Sequence, residues 1–177
     1  MATSIPDAVE DTAQRAARTE QEYEGGADRP LRSYTGLLAL YAATLTAFAA
    51  VVKVTGRQLP ERFDARDLAL MSVATHKLSR LIAKDPVTSP LRAPFTRYEG
   101  TAGPSELHEE VRGEGGRKAV GELLTCPFCV GHWVATGLAF GLVFAPRMTR
   151  LVTSVFTTLA VSDALQFAYS ALQDRER

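Results

Sequence analysis

LLTCPFCVGHWVATGLAFGLVFA, residues 123–145, is the stretch on which the fold turns. Between 130 and 145 the only ionisable side chain is His132. A segment so poor in charge suits hydrocarbon, where a helix satisfies its own backbone and its side chains need no water. Cys126-Pro127-Phe128-Cys129 stands where this run meets polar sequence. Proline suits the first helical position, which makes Cys126 the expected N-cap, its sulfur among free backbone N–H groups. The stretch predicts a membrane helix with a thiol pair at its mouth.

Working outward, residues 34–52 (YTGLLALYAATLTAFAAVV) run for nineteen positions without a charge. At helical rise they span about 28 Å, close to a bilayer core. Ala39, Ala43 and Ala47, spaced by four, would let another helix approach closely. Residues 64–83 (DARDLALMSVATHKLSRLIA) are ambiguous. Asp64 suits an N-cap, and His76, Lys77 and Arg80 enter at helical spacing. The segment either spans with a snorkelling cationic end or lies along the surface. A span with a wet cytosolic end is the expectation adopted. Residues 151–172 form the last expected span, interrupted chemically by Asp163 and Gln166. The predicted fold is all-α: an integral membrane helical bundle of about four helices, three clear and one ambiguous.

Polar sequence surrounds this bundle, which occupies residues 34–172. Residues 1–33 carry seven acids against four arginines and read as a disordered acidic tail, transiently helical over 6–22. Residues 84–125 read as a long cytosolic loop. Pro86, Pro90 and Pro94 predict extended or turn structure there, residues 105–112 a short helix, and Gly113 to Gly116 a flexible joint. Residues 173–177 are a polar tail. No early apolar core marks a cleavable signal peptide. Zero formal net charge excludes an advertised nucleic-acid surface. Two cysteines three apart cannot build a disulfide framework.

The lysines and arginines predict sidedness. With four spans and both termini inside, 14 of them lie in the cytosol and 6 outside. Removing the ambiguous span leaves the same split. Both topologies put residues 84–125 and the CPFC pair on the cytosolic side of the inner membrane.

The thiols admit three readings. They can cycle as a redox pair, although no βαβ pattern surrounds them. They can hold zinc with His132 as Cys126, Cys129 and His132, a fourth ligand coming from elsewhere. Or they simply pack at a crowded helix mouth. Asp163 is the second focus, because a carboxylate inside a span needs a partner. Lys77 and Arg80 are the expected ones, making a polar clamp between helices, with a proton or ion relay as the alternative. Gly137 and Gly141, in GxxxG spacing, suit either a homodimer or packing within the bundle. No Ser/His/Asp set is legible. The GEGGRK string (113–118) lacks the phosphate-loop spacing.

KLSRLIAKDPVTSPLRAPF (77–95), RGEGGRKAVGELLTCPFC (112–129) and GHW (131–133) together resemble domain-of-unknown-function family 1360, small bacterial membrane proteins. The resemblance covers about residues 34–172. It implies a multi-span inner-membrane protein centred on the cytosolic loop and the cysteine-bearing helix start. Arg80, Asp85, Arg92, Pro94, Arg112, Gly113, Gly121, Glu122, Cys126 and Cys129 match its pattern; His132 does not. It implies no reaction.

Asp85, Arg92, Arg112 and Glu122 are expected to fold the loop into a cap that contacts a protein or small anionic ligand. The expected activity is that of a non-enzymatic accessory or binding component in the bilayer. A membrane thiol-disulfide oxidoreductase and a small transporter are the alternatives.

Overall fold

A computed structural model describes residues 5–25, 27 and 29–175. Residues 1–4, 26, 28 and 176–177, parts of the two expected tails, lie outside these. Helix α1 (Ile5–Glu24) precedes four long elements: α2 (Leu31–Thr55), α3 (Ala65–Lys84), α6 (Pro127–Phe144) and α7 (Pro146–Arg175). Between α3 and α6 come a 3-10 turn (Pro86–Thr88), α4 (Ser89–Arg92), strands β1 (Thr96–Gly103) and β2 (Glu106–Val111), and α5 (Gly115–Thr125).

Local chemistry sets the ends of these helices. Gly56 adopts φ 65° and closes α2, its N–H returning to Lys53 O. Asp64 caps α3 by accepting from the Arg66 N–H at 2.7 Å. Cys126 caps α6, its sulfur accepting from Cys129 N–H at 3.2 Å, with Pro127 at the first position. Pro146 opens α7, leaving Ala145 alone between it and α6. The residues 5–24, expected as a tail helical only in passing, are α1. The Arg32 N–H donates to Glu20 Oε1 at 3.2 Å, tying α1 to the start of α2.

Side-chain contacts fix the helix directions. Tyr34 hydrogen-bonds Glu122, Tyr41 bonds Thr136 at 2.7 Å, and Phe48 stacks on Phe140 at 3.5 Å, so α2 and α6 run parallel. Asp67 meets Arg150, Thr157 donates to Leu70 O at 3.0 Å, and Lys77 meets Asp163, so α3 and α7 run parallel. The α6–α7 pair is an antiparallel hairpin, seated where Gly141 lies against Thr149. A Cβ at Gly141 would collide with that threonine, whereas Gly137 faces open space. Gly141 is thus used inside the chain.

Two ends result. Arg57 donates to Val143 O at 3.0 Å and sits over the Phe144 ring, placing the 56–64 connection beside the α6–α7 turn. Residues 85–125 gather at the opposite end with the thiols and the start of α2. Helix α3 leads from one end to the other. Helices α2, α6 and α7 are long and apolar enough to cross a membrane; α3 is not apolar enough by composition. Large apolar side chains, among them Leu38, Leu151, Val155 and Phe167, face outward, and the buried core is small.

The all-α expectation is corrected by the cap. Strands β1 and β2 form an antiparallel hairpin, Thr96 opposite Val111 and Gly103 opposite Glu106. Residues expected as a short helix over 105–112 are β2, because the pattern repeats every second residue. Leu107, Glu109 and Val111 turn inward while His108 and Glu110 stay exposed. An inward glutamate disguised that alternation. Ser105, at φ 61°, makes the tight turn. The proline-rich segment, expected extended or in turns, coils into the 3-10 turn and α4 and then turns over 93–95, since Pro86 and Pro90 fall at first-turn positions. The expected glycine joint is a defined turn, Gly113 at φ 93° and Gly115 at φ 55° leading into α5.

Helix α5 reaches the hairpin at Gly121, where an added Cβ would lie 2.6 Å from Val111 Cγ1 and 3.2 Å from Phe95 O. The Val111 methyl can move; the Phe95 carbonyl, which accepts from Arg112 N–H at 2.9 Å, cannot. Gly121→Ala is expected to destabilise the protein by about 1 kcal/mol, the lower end of overpacking costs. A thermal melt of the detergent-purified variant checks this, and an unchanged midpoint would show that α5 is not seated there.

Candidate functional site

Arg92 holds the cap to the bundle. It is fully buried, its side chain 0% exposed, at the end of α4. Its Nη1 donates to Ile82 O at 2.7 Å and to Thr88 Oγ1 at 2.8 Å, and its Nη2 to Asp85 O at 3.0 Å. Helix α3 leaves carbonyls without intrahelical partners at its C-terminus, and a guanidinium fork suits that end electrostatically. Nε turns to Glu109, itself 6% exposed, on the inner face of β2. One side chain thereby ties α3, the 3-10 turn and the hairpin together. Arg112 Nη2 donates to Ala93 O at 2.8 Å and Arg117 Nε to Pro94 O at 3.0 Å, securing the Ala93-Pro94 bend. Asp85 caps the 3-10 turn by accepting from Val87 N–H at 2.9 Å.

Beneath the hairpin tip, between α3 and the second half of α7, lies a cleft of about 530 Å³. Two ion pairs line it. Lys77 Nζ is 2.6 Å from Asp163 Oδ2, joining α3 to α7. One turn on, Arg80 Nε is 2.8 Å from Glu106 Oε1, joining α3 to the hairpin. His76, Gln166 and Ser170 add polar groups, Asp85 a third carboxylate, and Leu81 and Phe167 an apolar wall. Both pairs keep an open side, with exposures of 22% and 41% for Lys77 and Asp163, and 45% and 25% for Arg80 and Glu106. The sealed Arg92–Glu109 pair differs sharply.

At the mouth of α6 the two sulfurs are 2.7 Å apart in reduced cysteines, closer than ordinary sulfur contact. His132 does not join them. Its Nδ1 lies 2.9 Å from Phe128 O, one turn back on the same helix. Among the described residues, no three of His, Cys, Asp and Glu are placed to hold a metal ion, so the Cys126, Cys129 and His132 set is not assembled. Beside the thiols, Glu122 accepts from Tyr34 and pairs with Arg29 at 3.3 Å. The Arg29 guanidinium is held above its ordinary range, first by its bond to Tyr34 and then by the Glu122 charge.

The structure brings together Lys77 and Asp163 but sends Arg80 to Glu106 instead. It puts Arg92, Asp85 and Arg112 in one cap, with Glu109 rather than Glu122 as the balancing acid. Glu122 instead fastens α5 to α2. Sequence reasoning missed Glu106 and Glu109, whose partners lie 26 and 17 residues away. It also missed Asp67, 8% exposed, which receives a bidentate bond from Arg150 with Nη2 at 2.7 Å and Nε at 2.9 Å. That pair locks the starts of α3 and α7. Its sequence signal was an acid, Asp67, in the first turn of α3 and two arginines, Arg147 and Arg150, at the start of α7.

Residues 70–169 match the model of a family described as protein of unknown function (DUF1360). The match begins within α3, later than the expected residue 34, and takes in the cap, the thiol pair, α6 and most of α7. Helices α1 and α2 stand outside it. Sporulation protein YjcA of Bacillus subtilis (strain 168) is 35% identical over 71 residues, covering 38% of this chain and 60% of that protein. The chain thus matches less than two thirds of that relative's length. No solved structure matches. With the matched segment exceeding half of its length, the chain belongs to the DUF1360 family.

Proposed function

We propose that this protein is a four-span inner-membrane component that binds a ligand at its cytosolic face and has no catalytic activity of its own. The carrying observation is the cleft, in which two ion pairs from three elements stand open rather than sealed. Its polar groups hold charge in place without forming a reacting set.

Three apolar helices support the membrane setting. The route of α3 supports the fourth crossing, because it alone connects the 56–64 end to the cap. Four crossings put both chain ends, the cap and the thiols on one side, which carries 14 of the 20 lysines and arginines. That side is the cytosol.

Labelling with a membrane-impermeant maleimide tests this reading. Cys126 and Cys129 are expected to react only after intact cells are permeabilised. A cysteine placed at Gln58, in a chain with both native cysteines replaced by serine, is expected to react from outside. Reaction of both sites from the same side would overturn the four-span topology. Recovery of the folded chain in the supernatant without detergent would overturn the membrane assignment.

The 2.7 Å sulfur separation favours one second reading, a dithiol that closes to a disulfide. An oxidoreductase requires Cys126→Ser to abolish thiol–disulfide exchange with a small disulfide substrate. The binding reading requires the double serine variant to keep its membrane abundance.

A further inference from the structure

We infer that the cleft between α3, α7 and the hairpin tip seats a dipolar headgroup, a phosphodiester joined to a primary ammonium, as carried by an inner-leaflet amine phospholipid. The inference rests on the membrane-binding reading above and names its ligand class.

The two cations, Lys77 and Arg80, are three apart on α3 and so share one face of the helix. Their two acids come from different elements, Asp163 from α7 and Glu106 from the hairpin. The lining thus offers two positive groups and three carboxylates around a space of about 530 Å³, the third being Asp85, whose Oδ1 is already held by the Val87 N–H. A purely anionic ligand would meet Asp163 and Glu106 unfavourably, and a purely cationic one would meet Lys77 and Arg80. A ligand with both charges matches the pattern. Its phosphodiester accepts from Arg80 and Lys77, Arg80 being suited to fork two phosphate oxygens. Its ammonium donates to the two carboxylates in turn. Each open ion pair exchanges a protein partner for a ligand partner, so neither pair is left with a lone charge, and Asp85 keeps its backbone N–H bond.

Position argues for the lipid form of this chemistry. Asp163 lies twelve residues before the end of α7, about 18 Å along its axis from that cytosolic end. Pro146 opens the same helix seventeen residues before Asp163, about 26 Å and close to a bilayer core, so with the α6–α7 turn at the outer face the cleft lies at the depth of inner-leaflet headgroups. Leu81 and Phe167 line the same space, giving acyl chains an apolar surface to follow. A quaternary ammonium, which has no N–H, cannot make the carboxylate bonds that a primary ammonium makes.

Native mass spectrometry of the full chain in detergent, titrated with three lipids of matched acyl chains, tests the inference. Phosphatidylethanolamine is expected to bind about tenfold more tightly than phosphatidylglycerol or phosphatidylcholine, the equivalent of one retained ion pair. Arg80→Gln and Glu106→Gln are each expected to reduce that preference to near parity. Lys77→Gln/Asp163→Asn, which removes one pair without leaving a lone charge, does the same in a chain whose melting confirms folding. A separate arm with glycerophosphoethanolamine distinguishes the sources. Binding as tight as the intact lipid identifies a soluble phosphoamine and overturns the lipid form; weak binding supports it. Equal affinity for all three lipids, or a preference untouched by every variant, overturns the site. If the protein labels with the four-span sidedness yet shows no preference, only this inference fails; a soluble chain removes the reading beneath it.

Discussion

Replacing Arg92 by alanine is expected to release the cap while leaving the long helices paired. The substitution leaves the Glu109 carboxylate buried without its cation, and strips donors from Ile82 O, Asp85 O and Thr88 Oγ1. Breaking one side of a buried pair costs roughly 3–5 kcal/mol, far more than the pair itself contributes over an apolar substitute. Limited proteolysis should then cut within 86–114 in the variant and spare the wild type. Arg92→Met/Glu109→Leu is expected to recover the part of the loss that comes from the stranded Glu109 charge, leaving about 1 kcal/mol for each hydrogen bond not replaced. Equal protease resistance of Arg92→Ala and wild type would show that the cap is held elsewhere.

Lys77→Leu should produce the second large effect. Asp163 is then left without its counter-charge, and in the four-span arrangement proposed above this costs about 2 kcal/mol, below the value for the bilayer centre because the site lies in the half of α7 nearer the cap. Removing both charges in Lys77→Leu/Asp163→Leu should be milder than removing the lysine alone, and exchanging them in Lys77→Asp/Asp163→Lys should restore most of the stability. The interaction energy from this double-mutant cycle, read from melting in detergent and from abundance in the membrane, is the check. Simple additivity would mean that the two side chains do not support each other. The Arg150–Asp67 bond at the opposite end of the same helix pair makes global unfolding an improbable result of the single change.

These effects divide the molecule into what its sequence states and what only packing supplies. The uncharged runs declare α2 and α6, since helix is the form that satisfies a backbone without water. Asp64 and Cys126 are legible as caps, because a short side chain with an acceptor before a helical run does one local thing. The pairing of Lys77 with Asp163 was foreseeable from cost alone: a carboxylate in a span has to find a cation.

The hairpin was not legible in that way. Residues 106–111 alternate correctly for a strand only if Glu109 counts as an inward residue, and it does so solely because Arg92 waits there from another element. The destination of Arg80 likewise depends on where the hairpin tip comes to rest. The course of α3 was ambiguous by composition, which gives it too many charges for a clear span, and the structure shows it leading from the 56–64 end of the bundle to the cap. The sequence by itself determined which helices are long and apolar and where α3 and α6 start, while α7 begins at Pro146, before the expected 151. The tertiary structure alone decided which charges meet, because an ion pair between distant residues leaves no periodic or local trace until the chain has closed around it.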